Sequence, residues 1–155
     1  MIMTLTAGDD RRIVLIAADD TFCHVYQDLS DLLSTADHGE KLAGAVEFFD
    51  VTGRRLHPVF SADWRLESLD AGAAPAQPEA VRQRLTAVLA HVARYVRSHP
   101  DVLARSRITL EQALAQLPRL DGPDLPHEIG TLPDHLEHDT GNWLHNAMHA
   151  AGWAD

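Results

Sequence analysis

Val46-Glu47-Phe48-Phe49, then Asp50-Val51-Thr52-Gly53-Arg54, then Leu56-His57-Pro58-Val59-Phe60 decide the fold class. Two runs rich in β-branched and aromatic residues flank an Asp/Gly turn, which is the pattern of a β-hairpin. Pro58 has no amide hydrogen to give to a ladder, so its strand is expected at an edge or bent there. Ser61-Ala62-Asp63 makes a second turn, and Trp64-Arg65-Leu66-Glu67-Ser68-Leu69 alternates apolar with polar as a third strand should. The unit is a three-strand antiparallel meander.

Upstream, Ile13-Val14-Leu15-Ile16 is a short unbroken apolar run and reads as a buried strand. Met3–Thr6 is expected to pair with it across Ala7-Gly8-Asp9-Asp10. Asp19, Asp20 and Thr21 offer helix caps, and Phe22, Val25, Tyr26, Leu29, Leu32 and Leu33 fall at the spacing of one helical stripe, with Gly39 as its stop.

Downstream, Asp70–Gln77 is rich in Ala, Gly and Pro and reads as a linker, and Pro78 sits where a first helical residue belongs. Val81, Leu85, Val88, Leu89, Val92, Tyr95 and Val96 then mark one helical face, ended by His99-Pro100. Thr109 and Gln112 have capping-box spacing for a short helix over 110–117, stopped by Pro118. The stretch 118–138, with Pro123, Pro126 and Pro133, shows no period, and such lengths inside a domain often carry function. A last helix is expected over 140–151, capped by Asp139, with Gly152 at its end and Trp153 folding back on Met148. Strand runs and helix runs are segregated. The expected architecture is therefore α+β: a small antiparallel sheet, hairpin plus meander, packed on one face against about four helices, with residues 1–155 as a single domain.

Composition bounds the function. The net charge of −10 argues against non-specific binding to nucleic acid or an anionic membrane. No window approaches the roughly 20 apolar residues that span a bilayer, and Met1–Thr6 lacks the pattern of a signal peptide. One cysteine, Cys23, allows no intrachain disulfide, which suits a reducing cytoplasm. Arginine in place of lysine (Lys41 is the single exception), with abundant alanine, points to a GC-rich bacterial genome of the actinobacterial kind. From 121 to 155 there are acids and no Lys or Arg, whereas 82–107 holds six arginines against Asp101. Charge runs are usually solvated faces, and these two are expected to neutralise each other within the fold.

The chemical candidate is a C-terminal histidine cluster: His135, His138, His145 and His149. On a helix, His145 and His149 are four apart and share a face, opposite Trp143, Ala147 and Met148. Neutral imidazoles are good ligands for zinc or another divalent transition metal, and His135 or His138 would complete an open site. The glutamate of a His-Glu-x-x-His motif is missing, so the competing expectation is a solvated polar face. Cys23, read near a helix N-terminus, is a weaker nucleophile candidate, and Asp19 and Asp20 are better explained as caps than as metal ligands. Phe48, Phe49, Phe60 and Trp64 fit either the core or a small-molecule pocket between sheet and helices. No catalytic motif is complete. The expectation is a binding or interaction protein, accessory or regulatory, with a protein partner or self-association and a possible small-molecule ligand. The alternatives are a zinc-type metal protein and a cofactor-free enzyme.

Overall fold

The computed structural model describes residues 10–35, 45–133, 143–148 and 150–151. Five strands form one antiparallel sheet: β1 (Ile13–Ala17), β2 (Cys23–Tyr26), β3 (Val46–Asp50), β4 (Arg55–Phe60) and β5 (Leu66–Asp70), in the order β2-β1-β3-β4-β5. The helices are α1 (Leu29–Thr35), α2 (Pro78–Ser98), α3 (Leu110–Ala115), α4 (Leu125–Ile129) and α5 (Trp143–Met148), with a 3-10 helix over Pro100–Ser106. The α+β class, the meander and a hairpin all stand.

The hairpin is not the expected one. β1 pairs with β2 (Ile13 opposite Tyr26, Ile16 opposite Cys23), while Met3–Thr6 lies outside the described residues. Asp19 and Asp20 are turn residues rather than helix caps. The Ala17 amide donates to Phe22 O at 2.9 Å, Asp19 Oδ1 accepts from Thr21 Oγ1 at 2.7 Å, and Asp20 takes φ +60°, a conformation Asp tolerates. The helix expected from Phe22 to Leu33 is a strand followed by a short helix. Cys23 and Val25 point to one face of the sheet and Tyr26 to the other, the period-two pattern that overrides the apparent helical stripe.

The sheet is covered on both faces, not one. Val14, Ile16, Cys23, Val25, Phe49 and Val51 face α2 and the C-terminal helices. Ile13, Leu15, Phe48 and Val46 face Leu32 of α1. An unbroken apolar β1 is what two buried faces require. The α2 stripe is as expected except at one position: Val81, Leu85, Val88, Leu89, Val92 and Val96 are buried, each contributing about 1.5–3 kcal/mol, whereas Tyr95 is half-buried and stacks on His99. Pro78 opens the helix after Gln77, and His99 closes it. Thr109 and Gln112 form the full capping box, with bonds of 2.9 and 3.0 Å.

The aperiodic stretch contains α4. Asp124 caps it by accepting from the His127 amide at 3.2 Å, and a proline sits in the first turn. A buried ion pair ties α4 to α2: Arg82 Nε donates to Glu128 Oε1 at 2.8 Å, while Glu128 Oε2 accepts from the Gly122 amide at 2.8 Å. Both side chains are under 8% exposed. The arginine-rich and acidic stretches thus meet inside the fold at one point.

Two glycines with positive φ set the turns beside α2. Gly53, at φ +89°, closes the β3–β4 turn, and its carbonyl accepts from the Gln77 amide at 3.0 Å. A Cβ there would lie 2.6 Å from Pro78 Cα, so only glycine lets the turn touch the start of α2.

Candidate functional site

The covering helix is narrower than the sheet. α2 seals β1 and β3 but leaves the same face of β4 open, so the exposed positions of that strand are Arg55, His57 and Val59. The chain then crosses from β5 back to α2 through 71–77. Sheet, crossing segment and helix enclose a cleft of about 360 Å³. Phe49, Pro75, Ala80 and Val81 give it apolar walls, and Arg55, His57, Gln77 and Arg84 give it polar ones.

Arg84 is fixed in place. Its Nε donates to Asp20 Oδ1 at 2.8 Å and its Nη2 to Ala17 O at 2.9 Å, and its Nη1 donates to Glu47 Oε1. Its Cζ stands 5.6 Å from the centre of the Phe49 ring, within cation–π range. Burial alone would lower the Arg84 pKa, but the hydrogen bonds to Asp20 and Glu47 outweigh it and the pKa is raised. Arg84 therefore remains charged.

Arg55 shares the same carboxylate, with Nη1 at 2.8 Å from Glu47 Oε2. Its side chain is 47% exposed. Among the described residues no other group takes a hydrogen bond from Arg55, and none engages the side chains of His57 or Gln77. Glu47 thus takes one contact from each of two guanidinium groups, Arg84 being held by Asp20 and Ala17 O as well, and the remaining donors of Arg55 stand free at the cleft. A few placed polar groups on an apolar wall are the usual make-up of a small-molecule pocket.

The residues singled out in the sequence are placed differently. His135, His138 and His149 lie outside the described residues. His145 is in α5 but is buried at 4% exposure, together with Trp143, Leu144, Ala147 and Met148. The projection that put His145 on a polar face fails because α5 packs against both α2 and the 3-10 helix, which leaves a six-residue helix little solvent face. His145 is also engaged by interactions within the chain. Among the described residues no three His, Cys, Asp or Glu side chains are grouped to hold a metal ion. Cys23 is buried in β2, and burial pushes its thiol pKa up to about 12, the opposite of an activated nucleophile.

Of the four aromatic candidates, Phe49 lines the cleft, and Phe48 is core on the other face. Phe60 and Trp64 pair at the far end of the β4–β5 hairpin with ring centres 5.6 Å apart. Arg55, His57, Gln77 and Arg84 were missed. The signal available was the alternation Arg55-x-His57-x-Val59 beside a turn that ends in an arginine pair.

A second cleft, about 490 Å³, is lined by Ser106, Gln116, Thr131 and Trp143. The Trp143 indole donates to Gln116 Oε1 at 3.1 Å, and Ser106 Oγ is buried without a hydrogen-bond partner. No helix among the described residues is long and apolar enough to cross a membrane. Compared with known proteins, the chain matches no family model, no curated protein and no solved structure.

Proposed function

We propose that this chain is a binding protein whose working part is the cleft between β4 and α2, and that its ligand is a small molecule. The observation behind this reading is a donor set over the Phe49–Val81 wall: the Arg55 donors that Glu47 leaves unused, and the side chains of His57 and Gln77, unengaged among the described residues. The test is a mixed fragment set screened by amide chemical shifts on the intact chain. Binders are expected to move Gly53, Arg55, His57, Gln77 and Val81. Ala80→Phe, at an exposed helix position on the cleft wall, should remove those shifts. Binders that all map elsewhere, or that ignore Ala80→Phe, would refute the reading.

A second reading, contact with another protein chain, is favoured by one observation. Trp64 is 52% exposed at φ +63°. A large aromatic held in the left-handed region is a strained residue, and exposed tryptophans are frequent anchors of interfaces. Sedimentation equilibrium of the wild type and Trp64→Gly tests self-association through this tip. A monomer at every concentration in both proteins removes it.

A further inference from the structure

We draw no further inference here: the strongest candidate, the cleft of about 490 Å³ between the 3-10 helix, the segment after α3 and the start of α5, carries nothing, because its unpartnered hydroxyl, Ser106 Oγ, is sealed from solvent and no other lining group among the described residues selects what would occupy it.

Discussion

Replacing Gly53 with alanine tests whether the cleft is held open by a close approach of backbone to backbone. Two costs arise at this position. An L-residue at φ +89° pays a left-handed penalty of roughly 1–2 kcal/mol. The new Cβ would also stand 2.6 Å from both Pro78 N and Pro78 Cα and 2.7 Å from Gln77 C. These are backbone atoms at a helix start, and displacing them breaks the 3.0 Å bond from the Gln77 amide to Gly53 O. Such overpacking costs about 1–3 kcal/mol. The loss of unfolded-chain freedom returns about 0.4–1 kcal/mol. The net expectation is a loss of about 2–4 kcal/mol. With an m-value of about 2 kcal/mol/M, the urea midpoint should fall by about 1–2 M. Gly72 supplies the control. Its φ is +64°, but a Cβ there meets only the His57 ring, at 3.4 Å. Gly72→Ala should therefore show the conformational penalty alone, about 0.5–1 kcal/mol after the same entropic return. Equal midpoints for the two variants would refute the close-approach argument, because only Gly53 has a backbone neighbour in the way.

Two further outcomes follow from buried groups. Arg82→Met strands the buried Glu128 carboxylate and should cost about 3–5 kcal/mol by urea denaturation, Glu128→Gln should cost less because Arg82 keeps its second carboxylate partner, Glu79, and Arg82→Met with Glu128→Leu should recover much of the loss of Arg82→Met. A double variant no better than Arg82→Met would show that the pair does not act as a unit. The Cys23 thiol keeps its proton in the folded state up to about 12, against an ordinary value of 9.0, so the folded state binds more protons than the unfolded chain across that interval. Stability should then fall as pH rises through it, by at most about 1.4 kcal/mol per unit, and Cys23→Ala should lack that component of the slope. The same thiol should resist a disulfide reagent at pH 8 until the chain is unfolded, and prompt labelling of the native protein would contradict its burial.

Much of the fold was legible because several signals were local. The stripe of α2, the proline at its start, the His99-Pro100 stop and the Thr109/Gln112 box depend on spacing within one element, and all but Tyr95 in the stripe are as read. The meander was legible for the same reason: an Asp/Gly turn between alternating runs specifies its own pairing. Phe22–Leu33 was misread because Phe22, Val25, Tyr26, Leu29 and Leu32 satisfy a helical period while Cys23 and Val25 also satisfy a period of two. Pairing with β1, a tertiary fact, settled the matter. His145 went wrong for a related reason. A helical projection ranks the faces of an isolated helix, whereas α5 packs against two other helical elements and buries both sides.

The cleft was illegible for a different reason, which also explains why it exists. Its parts come from β3, β4, the crossing segment and α2, and no linear pattern joins Glu47, Arg55, Gln77 and Arg84. What brings them together is a mismatch of widths: a five-stranded sheet is wider than the one long helix on this face, so β4 is left half covered. A fold stabilised only by packing would fill that strip with apolar side chains or narrow the sheet. Here the strip carries Arg55 and His57, and Glu47, on the neighbouring strand, is committed to two arginines at once. Partly exposed ion pairs of this kind contribute little to stability, on the order of 0–1 kcal/mol each. The arrangement therefore has little to offer the folded state by itself. It does hold Arg84 over the Phe49 ring and leaves Arg55, tied to Glu47 by one contact, on the cleft wall.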